Sequence, residues 1–137
     1  MVAFYATLSD HLHHAGLHQI IAFDNVVTNI GGAYNPHVGT FIAPVTGVYV
    51  FSTSLLGYGH EETAGGIAKN GHVISSLYLR GVESPYGSDS ATIVLHLNKG
   101  DDVDVQMLSS DKSLYVYSKF SGFLLHADEP SESIVGK

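Results

Sequence analysis

Cysteine is absent from the 137-residue chain, which excludes disulfide staples and thiolate zinc sites. That absence fixes no compartment, because an oxidising space permits disulfides without requiring them. Nor does any apolar run approach the roughly 20 residues that a membrane-spanning helix needs. Basic residues are scarce: 6 Lys and Arg stand against 13 Asp and Glu, for a formal charge of -7. Nucleic-acid binding draws on clustered positive charge, so that class is set aside, and an anionic membrane is disfavoured for the same reason. Charged side chains of all kinds make up 14% of the chain, against about 25% in ordinary soluble domains. With 45% hydrophobic residues the chain has few charges with which to cover itself. That is a first sign that another copy hides some apolar surface. The length fits one domain, residues 1–126, able to bury a core without staples.

Helical periodicity is almost missing as well. Short runs of Val, Ile, Tyr, Phe and Thr recur between turn residues instead, the pattern of an all-β sandwich or barrel. The runs at 3–8, 18–23, 26–28, 40–42, 48–56, 65–68, 73–79, 91–97, 103–107 and 114–125 read as strands. Asn70-Gly71 between two of them is a strong hairpin signal, since both positions tolerate the positive φ of a type I′ turn. Met1-Val2-Ala3-Phe4 leads straight into strand-like sequence, so no secretory leader is expected in this chain. Residues 127–137, "ADEPSESIVGK", lack alternation and read as a flexible polar tail.

Two runs are apolar on both faces. In 48–51, Val48 and Val50 oppose Tyr49 and Phe51; in 114–117, Leu114 and Val116 oppose Tyr115 and Tyr117. A sandwich strand needs one apolar face for its core, and a second calls for further cover. An overhanging loop would serve, but a subunit interface fits the low charge better, with Tyr49, Phe51, Tyr115 and Tyr117 as its candidates. Along 103–107, by contrast, Val103, Val105 and Met107 read as buried while Asp104 and Gln106 read as solvated.

Several stretches, in order, resemble one family. "AFYATLS" at the start, "IIAFDNVVTNIGGAYNPHVGTFIAPVTGVYVFS" over 20–52, "KNG" at 69, "GSDSATIVLHLNKGDDV" from 87 and "FSGFLL" at 120 are similar to the complement C1q globular-head domain. That domain belongs to the C1q and tumour-necrosis-factor superfamily, and the likeness runs from residue 3 to 126. It implies a ten-stranded jelly-roll sandwich, a homotrimer, and a secreted recognition module that is not an enzyme. The chain also looks like the stalkless, secreted C1q-domain proteins of invertebrates such as molluscs, several of which are described as lectins or as calcium-binding, histidine-rich proteins. Ala43 stands where many relatives have cysteine, and Asp104 where tryptophan is common; both put particular partner contacts in doubt.

Candidate chemistry is modest. "DHLHHAGLH" gathers His11, His13, His14 and His18; as a solvated loop these touch nothing, while in extended form His11 and His13 share a face that would suit zinc, copper or nickel. Asp102 and Asp104 alternate onto one face and would suit calcium, or simply keep a hairpin end soluble. The resemblance adds a second calcium position in the loop "RGVESPYGSDSA" leading into the strand at 91–97, where Glu83 and Asp89 are the carboxylates. Tyr58, Tyr78 and Tyr86 sit near strand ends, where aromatic faces stack on sugar rings, and Arg80 suits an acidic group on a glycan. "GHEET" at 59–63 lacks the second histidine of a zinc-protease helix, since Ala64 stands there. The expected function is multivalent binding of glycans or microbial polysaccharides, with a receptor-binding ligand or a metal or calcium carrier as the alternatives.

Overall fold

Each block of strand formers alternates its side chains inward and outward, and the inward ones find one another across two sheets. The computed structural model describes residues 1–81 and 84–129 and has no helix among them. In chain order its strands are β1 (Ala3–Thr7), β2 (Leu12–Ala15), β3 (Asn25–Ile30), β4 (Tyr34–Asn35), β5 (Thr40–Ile42) and β6 (Gly47–Tyr58). They continue as β7 (Glu62–Lys69), β8 (His72–Arg80), β9 (Ser88–Leu97), β10 (Asp102–Met107), β11 (Lys112–Leu114) and β12 (Lys119–Ala127). A seven-stranded sheet runs β2-β11-β6-β12-β1-β3, with β9 also paired to β6. A five-stranded sheet runs β4-β5-β10-β7-β8, and every pairing is antiparallel. The expected jelly-roll sandwich is present, with twelve strands among the described residues where the resemblance implied ten. The Asn70-Gly71 turn has the positive φ angles read from sequence, 50° and 82°.

Aromatic rings hold the two sheets together. Phe4 stacks on Tyr34 at 4.6 Å and meets Phe120 edge-on at 5.0 Å, while Phe41 meets Phe51 at 5.2 Å. Such pairs add about 0.5–1.5 kcal/mol each beyond burial. The two buried tyrosines also satisfy their polar tips: Tyr34 donates to the Phe23 carbonyl at 2.8 Å and Tyr49 to the Val45 carbonyl at 2.6 Å.

Several expectations need correction. Tyr49 and Phe51 are fully buried inside one chain and have no surface left for a partner. The outward face of β6 is instead Val48, Val50, Ser52, Ser54 and Leu56. The run at 114–125 is two strands separated by a turn, so Tyr115 and Tyr117 lie in that turn and face no sheet. Residues 18–21 bond to β10 through Ile21 N–H to the Val105 carbonyl and Met107 N–H to the Gln19 carbonyl, with a single bridge at Ile20. That segment flanks β10 opposite β7, and Asp104 and Gln106, read as solvated, are both buried. Of the tail, Ala127 ends β12 and Asp128 bonds to the Thr46 carbonyl and to His96 at 2.8 Å; residues 130–137 lie outside the described residues.

The Asp104 carboxyl is held above its usual value, first by burial and then by the nearby Asp102 charge, against one hydrogen bond from Gln106 at 3.3 Å. A raised value means that protonation favours the fold: the gain is complete below the unfolded value near 3.8 and is lost as pH rises through the folded one. Asp104→Asn is therefore expected to raise Tm at neutral pH by roughly 2–4 °C, with the advantage vanishing in acid. Thermal scans across pH check this, and an equal advantage at every pH would contradict it.

Candidate functional site

The outward face of the seven-stranded sheet is sorted into rows by register. Val94, Val50, Phe123, Ala3 and Ile30 stand directly opposite one another across β9, β6, β12, β1 and β3. Val94 is 63% exposed, Ile30 49% and Phe123 44%, so this apolar row lies open in a single chain. One step along the strands, Thr92, Ser52, Ser121, Tyr5 and Thr28 form a polar row, with the Ser52 and Thr92 hydroxyls 2.8 Å apart.

Beyond the polar rows, at the end where β6 and β8 finish and β9 begins, rings gather on the surface. Tyr58 closes β6, His11 precedes β2, Tyr86 precedes β9, and Tyr115 and Tyr117 belong to the turn between β11 and β12. Tyr115 lies at the centre, with His11 at 4.2 Å, Tyr117 at 5.3 Å, Tyr86 at 5.5 Å and Tyr58 at 5.6 Å between centroids. Tyr86 meets it at 89°, forming a corner, while Tyr58 and Tyr117 lie nearly parallel to it. His13 extends the group, 6.0 Å from His11 and 6.1 Å from Tyr58. The rings remain open to water, Tyr58 at 47%, Tyr86 at 52% and Tyr117 at 68%. A groove of ≈ 400 Å³ opens on the far side of His11, lined by Asp10, Asp24 and His37 among others.

Hydrogen bonds fix the frame of this cluster. Tyr115 N–H donates to the Leu56 carbonyl at 2.7 Å, Ser118 N–H to the Tyr115 carbonyl at 3.1 Å, and Leu56 N–H to the Ser118 hydroxyl at 3.0 Å. In the middle of the turn, Val116 N–H donates to His11 Nδ1 at 3.0 Å. Gly57 N–H reaches the Gly87 carbonyl at 2.7 Å, drawing the Tyr86 segment against the end of β6. A Cβ on Gly87 would lie 2.4 Å from the Arg80 carbonyl carbon, so only glycine permits this approach.

Residues assigned to three separate roles from sequence thus converge: Tyr58 and Tyr86 as ligand binders, Tyr115 and Tyr117 as interface, His11 and His13 as metal ligands. Sequence reasoning missed the convergence because its members lie far apart in the chain; His11 and Val116 are separated by 105 positions. The placement of Tyr58 and Tyr86 near strand ends was the one available signal, while Tyr115 and Tyr117 read as part of a strand. His14 parts from its neighbours. Its left-handed φ of 53° sends the ring to Asp111, at 2.8 Å, instead of joining His11 and His13. Tyr78 and Arg80 lie on β8 of the other sheet, where the Tyr78 hydroxyl bonds to Glu62, the largest cause of its raised pKa. No ring contact links Tyr78 to the cluster among the described residues.

The carboxylates are committed elsewhere. Asp89 accepts Tyr78 N–H at 3.1 Å and Ser90 N–H at 2.8 Å, stitching β8 to β9 across the open side of the sandwich. Asp89→Ala should cost about 1–2 kcal/mol and lower Tm by roughly 4–8 °C; urea unfolding checks this, and an unchanged midpoint would refute the stitch. Glu83 lies outside the described residues. Asp102 and Asp104 share a face as read, but Asp104 is buried. Among the described residues, no three His, Cys, Asp or Glu side chains converge to hold a metal.

Comparison with known proteins decides the family. The profile of the C1q domain matches residues 3–125. The chain belongs to the C1q-domain family. This C1q domain is 35% identical over 129 residues to human complement C1q tumor necrosis factor-related protein 3, covering 90% of this chain and 51% of that protein. It is 31% identical to the heavy metal-binding protein HIP of Mytilus edulis, covering 91% of this chain and 61% of that protein. It therefore spans between half and two thirds of the length of these relatives. Among solved structures it resembles the globular domain of the zebrafish complement 1qA protein, with TM-score 0.74, 22% identity, and 93% and 100% of the two chains covered. It also resembles an Eiger TNF from S. frugiperda, with TM-score 0.72, 13% identity, and 94% and 95% covered. At these identities the structural likeness speaks for the fold alone.

Proposed function

We propose that this C1q domain is a non-catalytic, extracellular recognition module that assembles as a homotrimer and binds glycans, including microbial polysaccharides, through the ring cluster. The cluster carries the reading. Exposed tyrosine faces in a rigid frame offer flat, polarisable platforms that stack on the C–H faces of sugar rings, with hydroxyl and imidazole edges for their oxygens. Trimerisation is supported by the open apolar row, which gains about 25 cal/mol per Å² once covered. Three such sites on one body add avidity against repetitive surfaces without added contacts.

A glycan array tests this. The wild-type chain is expected to be retained on a subset of polysaccharides, and Tyr58→Ala/Tyr117→Ala to lose at least about tenfold in affinity, since each stacked ring is worth on the order of 1 kcal/mol or more. Retention by the double variant equal to wild type would remove the cluster from recognition. The mussel relative's name raises metal binding as an alternative, but the residues here fit an ion poorly. His11 Nδ1 is occupied by Val116 N–H, and His14 is engaged by Asp111.

A further inference from the structure

Resting on that saccharide reading, we propose that His11 is a positioning residue that holds the ring cluster in its binding arrangement only while neutral, making the site acid-gated. The ends of the 115–118 turn are tied to β6 by backbone bonds and by the Ser118 hydroxyl, whereas its centre is tied by Val116 N–H donating to His11 Nδ1. An imidazole nitrogen that accepts an N–H carries no proton, so neutral His11 is the Nε2–H tautomer. That bond sets the path of the backbone between Tyr115 and Tyr117 and therefore the mutual placement of their rings.

Adding a proton places it on Nδ1. The acceptor becomes a donor, and two N–H groups then face each other across 3.0 Å. Contact of the ring with Tyr115, tilted at 46°, and its stacking on Tyr58 survive protonation and even gain cation–π attraction, so the change falls on the bond polarity and not on packing. The imidazolium relieves the clash by letting the turn centre go, and Tyr115 and Tyr117 lose their fixed separation. The groups facing His11 are few. Asp10 lies in its own loop, its carboxylate accepting His11 N–H at 2.7 Å; His13 comes from β2, Tyr58 from β6, and Tyr115 from the turn. Asp24 and His37 line the same groove.

The arrangement separates His11 from a metal ligand. A ligand would have to surrender Val116 N–H at Nδ1 or shift its proton off Nε2, whereas a positioning residue needs only the bond already present.

The test compares wild type, His11→Asn and His11→Ala. Asparagine Oδ1 lies close to where Nδ1 stood and accepts Val116 N–H, but it does not titrate. On an immobilised mannan surface, wild type should bind at about pH 8 and lose roughly tenfold by about pH 5. His11→Asn should bind equally at both, and His11→Ala weakly at both. Superimposed pH profiles for wild type and His11→Asn would overturn the inference. An independent readout uses ¹⁵N-labelled protein without saccharide. Val116 N–H should shift together with the His11 ring titration in wild type and stay fixed in His11→Asn. A protonated Nδ1 on neutral His11, or a Val116 resonance indifferent to that titration, would also overturn it. If mannan captures no variant, the saccharide reading falls for this ligand, and the Val116 resonance alone decides for or against the gate.

Discussion

Gly122→Val is expected to abolish the native fold at ordinary temperatures. Gly122 lies on the inward face of β12, paired with Phe4 on one side and Phe51 on the other. A Cβ built there stands 2.5 Å from Phe51 Cδ1 and 2.8 Å from both Phe4 Cε1 and Phe51 Cε1. Ring atoms wedged in a core have no free end to swing aside. Phe51 also meets Phe41 at 5.2 Å, and Phe4 meets Tyr34 at 4.6 Å, so movement of either spreads through the ring cluster of the core. Overpacking by one methylene costs about 1–3 kcal/mol, and valine adds three carbons at a contact already closed. Against a total of about 5–15 kcal/mol, most of the stability is consumed. Circular dichroism should show a chain that is unfolded or melts at least about 15 °C lower; a midpoint within a few degrees of wild type would show that the core has slack the structure does not reveal.

Its neighbour should behave in the opposite way. Phe123→Asp points outward on the same strand, 44% exposed, at the centre of the apolar row. The ring lies outside the core, beside Val50 and Ala3 on the sheet surface, so secondary structure should be kept and unfolding of the isolated subunit should shift far less than with Gly122→Val. In the proposed trimer the same substitution places a carboxylate within a desolvated surface of a molecule already at -7. Burying an unpaired charge costs several kcal/mol per subunit, enough to shift association by more than about a thousandfold. Light scattering at micromolar concentration should find the variant at the 14.6 kDa of one chain. An unchanged assembly size would mean that copies meet elsewhere.

Those adjacent residues show how far the sequence could be read. Period-two alternation in β6, β9 and β10 identified strands, and Asn70-Gly71 identified a turn, because both signals are local. That β6 was apolar on both faces was also legible. Which face looked inward was not, since Val48 and Val50 are as greasy as Tyr49 and Phe51; only the opposing sheet distinguishes them. Asp104 misled for a related reason: alternation sets it on the face opposite Val103 and Val105, but whether that face is open or covered is decided by the rest of the chain, and Asp104 is buried. β2 was hidden by its histidines, which carry little strand preference and owe their extended form to pairing with β11. Least legible was the ring cluster, whose members belong to β6, the segment before β9, the loop before β2 and a turn between β11 and β12. Its chemistry was visible residue by residue, while its geometry exists only once the sheets have closed.

The most direct test of the account is to add a soluble oligosaccharide from whichever polysaccharide the array selects and follow the tyrosine side-chain resonances. The account predicts saturable shifts at Tyr58, Tyr86, Tyr115 and Tyr117, with Tyr78 on the opposite sheet unmoved. Shifts confined to Tyr78 and the Arg80 end of β8, with the ring cluster silent under saturating ligand, would contradict it.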